Sequence, residues 1–499
     1  MDLSELKKEI EENEKKFPVK YIAETFAVVD SIFDIEECEI LIPSLSKDYN
    51  KAILSKLEDK GFNIAFEGIS NYMAMLQDKN WADTDVQIKT EATTLNLNRF
   101  FLRGTKNTVK LKKENDGYFS GSMIVNIDIH EMSQKPHKKG YYRQVIKSPN
   151  FDIHDFLTEG VFTLKGYFFG IGYFEFKIKD KSYSLFNVKW KGEKYLIIDS
   201  EQEIDFDEFS NDTYSVCVAL GFFTCHFIQN ECWHIEAKDK DFKNIVNYSF
   251  TTLRDSIKGN FNPVYRNPYS YYRMKPIPEE FPKELTRINP SVFSKLCEEI
   301  VDDEKLLGAL IIFMESHNRS VYLKGAGYSV TLETLTQMIA DKNAGFKPIM
   351  NPKLADNFLK DVKAVLAKYE AQINDKVENP KSEFVESIRI LNAKIEGLNY
   401  PTNKDKLSIP FQIYKIDIVS GSEEDKAISH RNSFLHGNNL KKNKKEYMDG
   451  YEVWGVTLHY VNLLNKLILK YVGYEGYIIN YAEFHLKDEP DLAVLFPAI

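Results

Sequence analysis

The sequence predicts an α+β fold, with an N-terminal mixed, mostly antiparallel β-rich domain followed by a C-terminal all-α helical bundle. Three observations carry that prediction. Of the 34 Phe, 24 lie in roughly the first 270 residues, and aromatic side chains suit the pleated, half-buried surface of strands. Six of the 17 prolines, Pro263, Pro268, Pro276, Pro278, Pro282 and Pro290, then fall in one short interval. Beyond that interval apolar residues recur at helical spacing almost to the C-terminus.

The elements follow in order. Helical patterns over 3–17 and 51–60 precede strand-like runs at 108–112, 121–129, 161–164, 174–178 and 195–198. Turn signals at Asn115-Asp116-Gly117 and Lys191-Gly192-Glu193 separate them. The economical arrangement is an antiparallel, partly barrel-like sheet, with a helix over 207–225 packed against it. Proline locks φ and removes a donor, so neither a helix nor a central strand persists through the proline-rich interval. This places a β-rich domain over 1–262, a linker over 263–289 and a helical domain over 290–499.

In that helical domain Asn289-Pro290 is an N-cap and first-turn pair, followed by Val292, Phe293, Leu296, Cys297 and Ile300. Leu306, Leu307, Leu310, Ile311 and Met314 make a second stripe. Ser329 is expected to cap a third helix bearing Leu332, Leu335 and Ile339. Asn351-Pro352 opens a fourth through Leu354, Phe358, Val362 and Tyr369, and Phe384, Ile388, Leu391 and Ile395 mark a fifth. Ser422 and Asp425 stand at capping-box spacing and open a helix expected to reach Gly437, a residue suited to a left-handed cap. A last helix carries Tyr451, Trp454, Leu458, Val461 and Leu464.

Composition narrows the function classes. The chain of 499 residues is 43% hydrophobic and 28% charged, enough to bury sizeable cores. A net charge of −9 gives no global field for nucleic acid, so any such binding rests on a local basic patch. The longest apolar run, 214–227, is too short to span a bilayer and is broken by Thr224 and His226, so no membrane partner is expected. The start carries no apolar signal core, and five cysteines, sparse and odd in number, point to a reducing cytoplasm.

Chemistry is concentrated in His430-Arg431-Asn432-Ser433-Phe434-Leu435-His436-Gly437. Asn432 and His436 are four apart and share a helix face, while Phe434 and Leu435 can anchor the helix to its bundle. These residue types suit cleavage of a phosphodiester. The His436 imidazole can move a proton near neutral pH, the Arg431 guanidinium can grip phosphate oxygens, and Asn432 can orient either group. Lys441, Lys442, Lys444 and Lys445 follow within nine residues of His436 and form the local patch that could hold RNA. Tyr447 and Tyr451 could stack on its bases.

Arg431-Asn432-x-x-x-His436-Gly437 on a helix of an α-bundle resembles the Arg-x4–6-His signature of HEPN domains. It resembles more closely the form in ApeA-like HEPN proteins of bacterial antiphage and abortive-infection systems. The likeness covers roughly 282–480. It implies a metal-independent endoribonuclease that needs no cofactor and leaves 2′,3′-cyclic phosphate ends. Arg431 and His436 would be catalytic and Asn432 supporting, in a site shared across a homodimer. It also implies that the N-terminal domain senses a phage-derived trigger. Two rival readings remain: a catalytically silent HEPN module that binds RNA or protein, and a nucleotide-handling component of a toxin system.

Other constellations read as structure. Cys217, Cys225, His226, Cys232 and His234 are spaced without the close pairs that clamp tetrahedral zinc, so they read as buried thiols and a strand histidine. Asp152, His154 and Asp155, like Asp128 and His130, read as charged strand edges rather than metal ligands. Gly166, Gly170 and Gly172 read as turn and bulge glycines. Glu333 reads as a solvated first-turn glutamate in preference to a partner for Arg431.

Overall fold

In the computed structural model, the residues described are 20–33, 37–41, 51–57, 61–69, 86–90, 93–113, 119–147, 160–164, 168–228, 231–252, 257–259, 262–264, 288–343, 349–374, 380–443, 445–488 and 491–499. The helical pattern over 3–17, the turn at Asn115, the cluster at Asp152, Gly166 and most of the proline-rich interval lie outside them. The architecture is α+β, a β-rich region followed by a helical one, and the chain divides into two compact units, Met1–Asp303 and Glu304–Ile499.

In the first unit helix α1 (Ile22–Phe33) precedes strands β1 (Glu37–Leu41), β2 (Lys51–Lys56), β3 (Phe62–Ile69), β4 (Gln87–Lys89), β5 (Thr94–Lys113) and β6 (Phe119–Ser133). They are followed by β7 (Tyr141–Lys147), β8 (Gly160–Leu164), β9 (Phe168–Ile178), β10 (Lys181–Trp190) and β11 (Glu193–Ser200). Helix α2 (Phe206–Thr224) then leads to β12 (His226–Phe227), β13 (Glu231–Ala237), β14 (Ile245–Thr252), β15 (Ile257–Lys258) and helix α3 (Pro290–Asp302).

The main sheet is antiparallel in the order β3-β2-β1-β4-β5-β6-β14-β13-β7-β11-β10-β9-β8. The additional pairing of β3 with β6 closes the first six strands into a barrel, which removes their free edges. All the strand-like runs of the sequence lie within these strands. Residues 51–60, expected as a helix, begin instead as β2. Its buried Ala52 and Leu54 alternate with exposed Lys51, Ile53 and Ser55, the period of a strand rather than a helix. The hairpin between β10 and β11 turns on Lys191 and Gly192, at φ 46 and 89, the paired left-handed geometry of a tight antiparallel turn.

Helix α2 is buried along most of its length and ends at Cys225, itself left-handed at φ 53. Beside α1, Arg143, Asp199 and Lys20 form an ion network closed to solvent. Arg143 holds Asp199 by two bonds of 2.7 and 2.8 Å, and Lys20 reaches Glu201 at 2.8 Å. Helix α3 opens as expected, with Asn289 accepting from the Val292 N–H at 2.9 Å and Pro290 in the first turn. The sequence assigns this helix to the helical domain, but its packing is with the sheet. Phe293 sits edge-on to Phe174 and Phe176, and the Lys177 and Lys179 N–H groups donate to Ser294 and Glu298.

The second unit contains α4 (Glu304–Ser316), α5 (Val321–Lys342), α6 (Pro352–Asn374), α7 (Pro380–Glu396), α8 (Asn403–Ile413), α9 (Glu423–Ser429), α10 (Arg431–Leu435), α11 (Gly450–Tyr471), α12 (Tyr481–Leu486) and α13 (Leu492–Leu495). The second, fourth and fifth helical stripes are present. Ser329 does not cap its helix; α5 begins eight residues earlier, after Ser320, and the buried Ser329 hydroxyl donates to the Gly325 carbonyl one turn back. The small residues Gly325 and Gly327 let α5 lie so close to its neighbours that a Cβ at either would enter Phe434 or Ser316. The hydrophobic stripe on α11 is buried from Leu458 onward, whereas Tyr451 is exposed; α12 and α13 follow it, so it is not the last helix.

Candidate functional site

Ser422 caps α9 by accepting from the Asp425 N–H at 3.2 Å. The reciprocal half of the expected box is displaced by one residue, because Asp425 is short and accepts from the Gly421 N–H at 3.0 Å. The helix expected to run unbroken to Gly437 stops at Ser429. His430 adopts φ −78 and ψ −6, and its N–H is shared among the carbonyls of the preceding turn. The chain then restarts as the short α10. Gly437, at φ 65, ends it: the Asn438 N–H reaches the Ser433 carbonyl at 2.8 Å and the Gly437 N–H the Phe434 carbonyl at 3.3 Å. Those two bonds form the left-handed cap for which the sequence places a glycine there.

Phe434 fixes α10 in the bundle. Its ring is buried over Gly325 and edge-on to Tyr460, whose hydroxyl meets Ser329 at 3.2 Å. Burying such a ring stabilises the attachment by about 2–3 kcal/mol. With Phe434 as the anchor, the other residues of α10 are held in position at the rim.

Arg431 is ion-paired with Glu333 of α5 and also donates from Nη1 to the Asn432 side-chain oxygen. Glu333 stands mid-helix rather than in a first turn, and the pairing weighed against in the sequence is the one formed. The Arg431 side chain is only 18% exposed, so the carboxylate holds it in a partly desolvated place where charge-assisted bonds are strong. Asn432 and His436 are exposed on α10 and its C-terminal cap, one helical turn apart. No hydrogen bond joins Arg431 to His436 among the described residues; the guanidinium turns toward α5 and the imidazole toward solvent.

Lys441 forms a bridge with Tyr447 and lies 5.6 Å from the centre of its ring. Lys442 is paired with Glu452, which raises its pKa through the hydrogen bond and the charge. Lys445 donates its backbone N–H to Asn443, and Lys444 is outside the described residues. Tyr447 and Tyr451 are both well exposed, as stacking would require.

The sequence gives no signal for the buried and half-buried histidines of this unit, which include His317, His430 and His459. Burial lowers the pKa of His430, a shift that Glu423 opposes, and it also lowers that of His459 on α11. The His459 Nδ1 is buried with no hydrogen-bond partner among the described residues. The signal for it, a histidine on the buried stripe of a helix, is no different from that of an ordinary core residue.

In the first unit all five cysteines are free and buried, and burial raises the Cys217 thiol to about 12. Cys225 and His226 sit at the end of α2, away from the strand pair Cys232 and His234, whose Sγ and Nε2 are 3.7 Å apart. Among the described residues no group of three or more metal-ligating side chains is gathered. No described helix is long and apolar enough to cross a membrane. The chain matches no protein-family model, no curated protein and no solved structure.

Proposed function

We propose that the helical unit is a metal-independent endoribonuclease of the HEPN type, acting in the cytoplasm as a homodimer and released by a cue at the sheet unit. One observation carries this reading. Arg431 is clamped by Glu333 and Asn432 at a half-buried rim, while the His436 side chain stands exposed, with no hydrogen-bond partner among the described residues, one turn farther on. A guanidinium has five N–H donors, so it can keep its carboxylate and still donate to a phosphate.

In the proposed step the ribose 2′-oxygen bonds to the adjacent phosphorus while its proton passes to a base. The P–O5′ bond breaks and the leaving oxygen takes a proton. The products are a 2′,3′-cyclic phosphate and a 5′-hydroxyl. His436 carries one proton and Arg431 stabilises the pentacoordinate phosphorus. One chain supplies one such imidazole, so the other transfer comes from a second copy, which also brings its own exposed face to close the cleft. Lys441, Lys445 and the rings of Tyr447 and Tyr451 hold the RNA strand.

The test is digestion of single-stranded RNA by the full chain in EDTA, with Arg431→Ala and His436→Ala as controls and end-group analysis of the products. Loss of cleavage in both variants and cyclic phosphate ends support the reading. A requirement for divalent metal overturns it. The Glu333–Arg431 pair favours one second reading, a silent module whose guanidinium is spent on structure. Equal cleavage by wild type and His436→Ala, or none by either, decides for that module.

A further inference from the structure

We propose that the sheet unit binds a nucleotide in the cavity lined by Gln144, His234, Phe206 and Tyr214, with the base on the Gln144 amide and the phosphate at Lys135. The cavity has a volume of about 350 Å³, within the range of small-molecule sites. It belongs to the first unit alone and does not rest on the nuclease reading.

Gln144 on β7 is 4% exposed, yet its Oε1 has no hydrogen-bond partner among the described residues. Its Nε2 is 3.4 Å from His234 Nε2, the long limit of a bond. Buried amides are normally satisfied, so this one is an acceptor waiting for a donor. A side-chain amide presents acceptor and donor side by side, and the edge of a nucleobase presents the complement. The surroundings suit a flat ring. Phe206 lies edge-on to His234 and stacks on His137 at 4.2 Å.

The charges are segregated in the same sense. Burial depresses the pKa of His234 to about 3 and lowers that of His137, so the interior holds neutral imidazoles and takes a neutral head group. Glu131, the carboxylate at the lining, suits ribose hydroxyls. Lys135 is exposed and lines both this cavity and an adjoining open groove of about 500 Å³ that also presents Lys139 and Lys238. Of the two carboxylates in that groove, Glu203 and Glu236, the latter is already engaged by His137 at 3.1 Å and Asn247 at 2.9 Å. A phosphate on the base's ribose therefore meets lysines at the cavity mouth.

Calorimetric titration of the full chain with AMP, GMP, CMP, UMP and ribose 5-phosphate tests this. One of the four nucleotides should bind at least about tenfold more tightly than ribose 5-phosphate, which has no base. Gln144→Leu should reduce that preference to about twofold. Lys135→Ala, a surface change, should weaken the nucleotide and leave its nucleoside unaffected. The proposal is overturned if none of the four gives heat at millimolar concentration. It is also overturned if ribose 5-phosphate equals the best nucleotide, or if a folded Gln144→Leu keeps the preference. Circular dichroism establishes whether that variant is folded; if it is not, the comparison with ribose 5-phosphate and the Lys135→Ala titration decide.

Discussion

In the sheet unit Arg143, Asp199 and Lys20 are fully sealed from solvent, whereas in the helical unit Arg431 and Glu333 meet at a half-open rim. Both arrangements are ion pairs between a basic and an acidic side chain, yet they serve opposite ends. A sealed pair is surrounded by further bonds: besides its two to Asp199, Arg143 reaches the Tyr21 carbonyl and the Thr25 hydroxyl. It fixes structure and leaves nothing to offer a ligand. A rim pair holds a guanidinium in a defined place while solvent, or a phosphate, can still approach. Proximity of opposite charges therefore does not mark a site; what marks one is the fraction of the group left reachable.

The largest expected effect concerns the rim. If Arg431 and His436 work on one phosphate, His436→Ala should lower cleavage by about 10²–10⁴-fold, the range for a lost general acid or base. Glu333→Gln should cost less, since the arginine keeps Asn432 and loses only its clamp. Cleavage rates of the two variants against one labelled RNA check the order, and a Glu333→Gln loss equal to that of His436→Ala would remove the positioning role.

Next comes the sealed network. Asp199→Ala leaves the buried Arg143 without its carboxylate, while Lys20 keeps Glu201, and should destabilise the sheet unit by about 3–5 kcal/mol. The helical unit should be unaffected. Urea denaturation followed by amide exchange of peptides from β7 and α5 separates the two; equal losses in both would dissolve the contrast.

Acid sharpens the comparison at smaller amplitude. Burial holds the pKa of His234 at about 3 and of His226 at about 4 in the sheet unit, and of His317 at about 3 in the helical unit. A histidine with a depressed folded pKa binds more protons when unfolded. Its contribution is therefore intact above about pH 6.5 and is lost as the pH falls toward the folded value. At pH 4.5 His234 and His317 should each cost their unit on the order of 2 kcal/mol. His226 and His137 add to this in the sheet unit, and His430, His459 and His485 in the helical unit, so both units should lose stability in acid. Urea midpoints of the two units at pH 7 and 4.5 measure this, and a unit whose midpoint does not fall at pH 4.5 would contradict it.

How much of this was legible in the sequence follows from the range of the forces involved. Caps and periodicity are local, so Asn289-Pro290, Ser422 and Gly437 were readable where they stand. The 51–60 segment was misread because its charged and apolar residues fit two periods over so few positions; only pairing of β2 with β1 and β3 selects the strand. The break at His430 and the start of α5 at Val321 carry no side-chain cap bond, so no local signal marks them, and the contact of Gly325 with Phe434 joins distant residues. The motif itself was legible, but the Glu333 clamp joins residues almost a hundred positions apart. The Gln144 cavity had no sequence signal, because one glutamine in a strand resembles any other until its neighbours are in place.

The smallest expected effect tests how closely the rim depends on the packing below it. In Gly325→Ala the new methyl would occupy the space of the Phe434 ring, so either α5 or α10 must move. Such overpacking costs about 1–3 kcal/mol, while alanine returns up to about 1 kcal/mol of helix propensity. The net loss of stability should be about 1–2 kcal/mol, below that of any change in the sealed network. Its effect on cleavage should exceed what that loss alone implies, since Arg431 and His436 are held by the same short helix that Phe434 anchors. A variant that melts earlier yet cuts RNA at the wild-type rate would show that α10 need not be held where Phe434 places it.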